Sequence, residues 1–326
     1  LPEVRHAVER AERLLEDLPE PLTRRLWPAA AWSDETRAEQ ERRLSDTRFA
    51  QPAIAAIASG MLDLARRMGL AADRAAGHSF GEYLALHAAG VVGREALLAL
   101  AGTRGRILAE LGPDSGTMAV AMLSRGELEP YLAEFGGDVH LANVNAPRQC
   151  ALAGRADALG RFADRLAADG HAVRRIPVSA AFHSPLMRPA RRPFEEFLAA
   201  GVRAEAPSMP IHANLDGEPY PTDPGEIGRR WVDHLERPVD FVAVVERMYD
   251  AGVRTFVELG PGRVLTGLVG RILAGRPHLA VPTDGGHEVV LKAWLTGREF
   301  RELQNFYIKD ANVNTTGAEP QIEGIK

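Results

Sequence analysis

Ala75-Ala76-Gly77-His78-Ser79-Phe80-Gly81 is the stretch from which the rest of this chain can be read. A short apolar run ends at Ala76, and a helical run, Glu82-Tyr-Leu-Ala-Leu-His-Ala-Ala-Gly90, follows directly. A strand that turns sharply into a helix lifts the middle residue of the turn, and glycines two positions to either side let the backbone crowd there. The spacing therefore predicts a Ser79 hydroxyl exposed at the turn. It also predicts a Phe80 N–H at the helix start, free to stabilise a developing oxyanion. The plain alternative is a serine in an ordinary strand-to-helix connection.

Outward from this turn the pattern is mixed α/β. Apolar residues recur at helical spacing over residues 4–18 and in the Ala-rich run 52–68, and a further helix is expected over 94–111, closed by Gly112-Pro113. Residues 115–178 then read as strand (117–123), helix (125–135), strand (139–144), strand (149–153), helix (156–168) and strand (172–178). That βαββαβ order is the pattern of a ferredoxin-like unit. Residues 115–182 are therefore expected as a small subdomain inserted into a larger α/β unit built from 1–114 and 183–300. The helical pattern resumes at Pro185. Two more strands are expected at 209–213 and 255–259, the second running into Gly260-Pro261-Gly262 and a helix from Val264. A core of parallel strands wrapped by helices follows from this order.

Composition limits the function classes. The chain has 326 residues, 45% hydrophobic and 25% charged, enough to bury a sizeable core. A net charge of -5 argues against a dedicated nucleic-acid binder. The single cysteine, Cys150, excludes an internal disulfide and a cysteine-based zinc site. No apolar run reaches membrane-spanning length and the first residues do not resemble a signal peptide, so a cytoplasmic location is the expectation. The chain's three lysines, Lys292, Lys309 and Lys326, and half of its six asparagines lie near the C-terminus, and no arginine follows Arg301. Residues 303–326 are accordingly read as a linker or an expression-derived tail.

A serine hydroxyl becomes a nucleophile only when a base takes its proton. Of ten histidines, His183 is the best placed: it ends the last strand region of the insert and precedes Ser184-Pro185, which reads as an N-cap and a first helical residue. Side chains at such strand-to-helix crossings are where α/β proteins gather their chemistry. Taken alone, the histidine is as readily structural.

Gly77-His-Ser-Phe-Gly81 followed far downstream by Ala181-Phe-His-Ser184 resembles the malonyl-CoA:acyl-carrier-protein acyltransferase family, which includes the acyltransferase domains of fatty acid and polyketide synthases. Further matches are Gln51-Pro52-Ala53, Thr103-Arg104-Gly105, Asn143-Val-Asn-Ala-Pro147, Trp231 to Phe241 and Val257-Glu-Leu-Gly-Pro-Gly262, so the resemblance runs from about Leu1 to Leu295. It implies a hydrolase-like large subdomain with a ferredoxin-like insert. It makes Ser79 the nucleophile and His183 the general base, with the base oriented by a backbone carbonyl at the position of His234. Arg104 matches the arginine that holds the free carboxylate of the extender unit, a task for which a planar fork is suited. Gln51 and Asn145 are expected to line the pocket or the pantetheine channel. Phe182 before the histidine goes with malonyl selection, although Ala180 stands where the family usually has histidine.

The implied reaction is ping-pong transfer of malonyl from malonyl-CoA to the phosphopantetheine thiol of an acyl carrier protein, within a polyketide synthase and with no tightly bound cofactor or metal. Phe80 and Glu82 flanking the second glycine are most similar to iterative synthases of the enediyne or polyunsaturated-fatty-acid type. The resemblance also places the family's Gly-Gln-Gly-Ser/Ala-Gln strand ahead of Leu1, so the glutamine donor of the oxyanion hole is expected outside this sequence. Two rival readings stand beside it. An α/β-hydrolase esterase or thioesterase would need a triad acid, for which Asp114 and Asp138 are the nominees. An inactive docking module of a synthase would need no chemistry at all.

Overall fold

The computed structural model describes residues 1–112, 115–176, 178 and 180–284. The expected tail at 303–326 and the nominee Asp114 lie outside them.

The N-terminal helices are α1 (Pro2–Leu14), α2 (Leu22–Leu26), α3 (Asp34–Leu44) and α4 (Thr47–Arg67). Pro2 opens α1, where its missing N–H costs nothing, and Ala7, Val8 and Ala11 bury one face of it against α4. The approach is close: a Cβ on Gly60 of α4 would stand 2.7 Å from the Val4 Cα. Helix α4 starts five residues earlier than Pro52, the start expected from sequence. Asp46 caps it by accepting from the Arg48 N–H, and Pro52 sits inside the second turn. The polar α3 carries no apolar stripe and no buried residue, so periodicity could not find it, but Ser33 caps it by accepting from the Thr36 N–H.

Strand β1 (Ala75–Ala76) leads through the serine turn into α5 (Gly81–Ala88), and α6 (Arg94–Glu110) packs back on α4. The insert follows as β2 (Thr117–Ala121), α7 (Arg125–Glu134), β3 (Val139–Ala146), β4 (Gln149–Gly154), α8 (Ala156–Ala168) and β5 (Val173–Ile176). Its antiparallel order β5-β2-β4-β3 is the ferredoxin-like arrangement anticipated by the element order. Leu128, Leu152, Leu159, Phe162 and Leu166 fill a separate core beneath it.

The large subdomain resumes with a 3-10 turn (Pro185–Ala190), α9 (Arg191–Gly201), β6 (Ile211–His212), α10 (Pro224–Asp233), β7 (Val239–Asp240), α11 (Phe241–Asp250), β8 (Thr255–Glu258), α12 (Val264–Ile272) and β9 (Leu279–Pro282). Strand β7 joins the insert's sheet by pairing parallel to β3. The parallel strands of the large subdomain form two pairs, β1 with β6 and β8 with β9. Between β1 and β8 lies a cavity of about 790 Å³, floored by Leu84 of α5 and Val244 and Met248 of α11. Among the described residues no helix is long and apolar enough to cross a membrane.

Candidate active site

The turn at Ser79 depends on Gly77 and not, as the spacing suggested, on both glycines, since a Cβ on Gly81 would meet no atom within 4 Å. A Cβ on Gly77 would fall 2.0 Å from the carbonyl carbon of Gly81, so any side chain there would break the turn. Ser79 itself has φ 50°, and His183 has φ 58°; they are the two positive-φ non-glycine residues among those described. Each such conformation costs on the order of 1–2 kcal/mol, and strain of this kind collects at functional sites.

The two strained residues meet. Ser79 Oγ lies 2.7 Å from His183 Nε2, and His183 Nδ1 lies 3.0 Å from the carbonyl oxygen of His234. A carbonyl only accepts, so Nδ1 carries the proton and Nε2 presents a lone pair to the serine hydroxyl. His183 is 3% exposed. Burial first, then the charge of Arg104 and the neighbouring His78, push its pKa down to about 3. The imidazole is thus neutral and able to accept a proton at neutral pH. The Phe80 N–H opens α5 with no partner among the described residues, which leaves it available to an anion at the helix start.

Ser79, Phe80, Gln51, Arg104 and Phe182 line one cavity of about 190 Å³. Arg104, on α6, is 4% exposed and donates from Nη1 to Gln51 Oε1 at 2.9 Å. Its guanidinium lies 5.7 Å from the Tyr83 ring centre and 6.0 Å from that of Phe80. Its Nε has no partner, and among the described residues no carboxylate pairs with it. A buried guanidinium without a counter-ion is costly, and burial lowers its pKa. Gln51 is held in turn by donating to Thr47 Oγ1 at 2.8 Å. The site is therefore a small cavity with a hydroxyl activated at one point and an uncompensated cation in its wall. Such an arrangement can bind a carboxylate and attack a carbonyl in the same molecule.

Asn145 is not in this cavity. Its Oδ1 lies 2.7 Å from Nε2 of His78 in the serine turn, and the His78 ring packs edge-on against Phe241. Asp138 is largely exposed on the insert and pairs with Arg161 at 3.6 Å, so it orients no histidine. Among the described residues no group of His, Cys, Asp or Glu side chains is arranged to hold a metal ion. Two residues that brace the serine turn were not nominated for the site from the sequence: Glu82, buried in the first turn of α5, and Asn214, just beyond β6. Asn214 follows the end of an expected parallel strand, a position where functional side chains gather.

Comparison with known proteins agrees with this geometry. The family model described as "Acyl transferase domain" matches residues 23–318. The chain is 39% identical over 238 residues, 72% of its length, to 20% of the polyketide biosynthesis protein ThaF of Burkholderia thailandensis. It spans only 11–20% of the length of the first curated relatives it matches, which are otherwise mycobacterial phenolphthiocerol synthesis polyketide synthases. Among solved structures it is similar to the acyltransferase domain from the second module of the salinomycin polyketide synthase. There the TM-score is 0.78 at 31% identity, over 97% of this chain and 73% of that one. It is also similar to a malonyl-transacylase solved with its type II polyketide synthase acyl-carrier protein, with TM-score 0.80, 28% identity, and coverage of 90% and 91%. With a family match across most of its length and the fold that goes with it, this chain belongs to the acyltransferase domain family.

Proposed function

We propose that this acyltransferase loads malonyl from malonyl-CoA onto Ser79 and passes it to the phosphopantetheine thiol of an acyl carrier protein. The observation that carries the substrate assignment is the buried Arg104 guanidinium, which lines the serine's cavity and has no carboxylate partner among the described residues. His183 Nε2 takes the Ser79 proton as Oγ attacks the thioester carbonyl, and Nδ1–H stays on the His234 carbonyl throughout. Negative charge developing on the carbonyl oxygen is met by the Phe80 N–H. Collapse expels CoA as a thiol, with the proton returned from His183. The carrier's thiol then gives its proton to His183, attacks the serine ester and leaves with malonyl, restoring the Ser79 hydroxyl.

Phe182 in the cavity wall supports malonyl over bulkier extender units, since an α-methyl group would crowd its ring. The relatives support a place among the domains of a polyketide synthase, with the carrier protein and neighbouring domains as partners.

The esterase reading fits less well, because a site for neutral acyl chains has no use for a buried cation. A purely docking role leaves the strained dyad without a purpose. Mass spectrometry after incubation with malonyl-CoA separates the three. A malonyl adduct on Ser79 that moves to a carrier protein is expected. Free malonate without transfer would favour the esterase, and no adduct at all would favour the docking role.

A further inference from the structure

The serine turn and the support of its base are joined by one buried side chain. Asn214 is fully buried, and its carboxamide lies across the turn. Nδ2 donates to the Gly77 carbonyl, and Oδ1 accepts from the Ser79 N–H at 2.7 Å. The same Oδ1 lies 3.3 Å from His234 Nε2. His234 Nδ1 has no partner among the described residues and burial keeps the ring neutral, and because a carboxamide oxygen only accepts, its proton is on Nε2, donating to Asn214. The carbonyl of that same His234 holds His183 Nδ1.

Asn214 is fixed from both sides. Its N–H donates to Glu82 Oε2 in the helix that leaves the turn, and its carbonyl accepts from the Asp240 N–H at 2.7 Å at β7. The second Glu82 oxygen accepts from the Tyr220 hydroxyl. A closed path therefore runs from the Ser79 N–H through the Asn214 carboxamide and His234 to the His183 ring and back to Ser79 Oγ. Both strained residues of the site lie on that path.

We propose that Asn214 is the positioning residue of the dyad: a single carboxamide oxygen holds both the nucleophile's turn and the side chain of His234, the residue whose backbone carbonyl orients the base. This assignment rests on the reading of Ser79 and His183 as nucleophile and base. Asn214 touches neither substrate nor the reacting atoms. It sets the separation of two groups held at 2.7 Å, and a displacement of about 1 Å in such a pair costs about 10²-fold in rate.

The test uses two variants and a readout that needs no acyl-CoA, the rate at which a fluorophosphonate labels Ser79. In Asn214→Ala, labelling and kcat for malonyl loading should fall together by about 10²-fold, with KM within about twofold of wild type. Asn214→Asp keeps the acceptors for Ser79 and His234 but turns a carboxylate toward the Gly77 carbonyl. The neutral acid can donate there as the carboxamide does. Its labelling rate relative to wild type should therefore recover as pH is lowered. Among the described residues the titratable or charged groups around it include Glu82 on α5, Tyr220, His78, His234, His183, Arg104 on α6 and Asp240 at β7, so the ratio to wild type at each pH is the quantity read. Wild-type labelling in Asn214→Ala, or a KM effect alone, would overturn the proposal. If that variant does not fold, a pH-independent ratio for Asn214→Asp overturns it. Loss of the dyad reading looks different: the wild-type protein itself would not label at Ser79, or would label equally well in His183→Ala.

Discussion

Replacing Arg104 by alanine is the sharpest test of the substrate assignment. The guanidinium is buried beside Ser79 and Phe182, held by its bond to Gln51 and by the rings of Tyr83 and Phe80. A malonyl carboxylate placed there would form two charge-assisted hydrogen bonds, each contributing about 1.5–3 kcal/mol. Coulomb attraction at about 4 Å and an effective dielectric near 20 gives about 4 kcal/mol, in agreement with that range. At 1.4 kcal/mol per decade, Arg104→Ala should lower kcat/KM for malonyl loading by about 10³-fold. Acetyl-CoA has no carboxylate and should not share the loss. Its loading should hold or improve, because the variant removes an uncompensated cation and one of the charges that depress His183. Gln51 keeps its bond to Thr47, so the wall of the cavity is retained. Intact-protein mass spectrometry of Ser79 acylation from each thioester, on protein with an unchanged melting curve, gives the ratio directly. An equal fall for malonyl and acetyl would refute the reasoning.

Two further outcomes follow from the same site. Burial raises the Glu82 carboxyl from 4.5 to about 7 against its bonds to Tyr220 and Asn214. The folded state therefore holds that proton more tightly than the unfolded chain, and the group's contribution to stability falls as pH rises from 4.5 through 7, by about 3 kcal/mol in all. Glu82→Gln has no such titration, so its stability relative to wild type should rise by that amount across the window in urea melts. A flat difference would show that the carboxyl is not raised. Phe182→Ser should widen the cavity and shift the malonyl-to-methylmalonyl loading ratio toward methylmalonyl by about 10–100-fold in a mixed-substrate assay, since one methyl group is worth about 1–3 kcal/mol. An unchanged ratio would remove Phe182 from the selectivity of the site.

The serine turn was legible because its demands are local. Gly77 must lack a side chain because a Cβ there would fall 2.0 Å from the Gly81 carbonyl carbon, close by in sequence, whereas a Cβ on Gly81 would meet no atom within 4 Å. The βαββαβ order of the insert was legible for a similar reason, since each element carries its own periodicity and the order alone selects the sheet arrangement. Helix α3, with no buried face, and the start of α4, set by Asp46 and not by Pro52, were lost to a reading based on apolar spacing. Asn145 illustrates a different limit: a motif says that a residue matters but not that its partner is His78.

By itself, the sequence nominated Ser79 from the spacing of its turn and the two-part α/β plan from the order of its elements, whereas His183 and Arg104 came forward as base and cation through the resemblance to the acyltransferase family. Only the tertiary structure decided how they work together. The case for Arg104 as a carboxylate site is strengthened because folding buries it without a counter-ion among the described residues, a property of surroundings drawn from α4, α5 and α6. Asn214 gained its place because it reaches 135 residues back along the chain to the Ser79 N–H. Contacts over such separations carry no periodic signal, and the chain must close on itself before they exist.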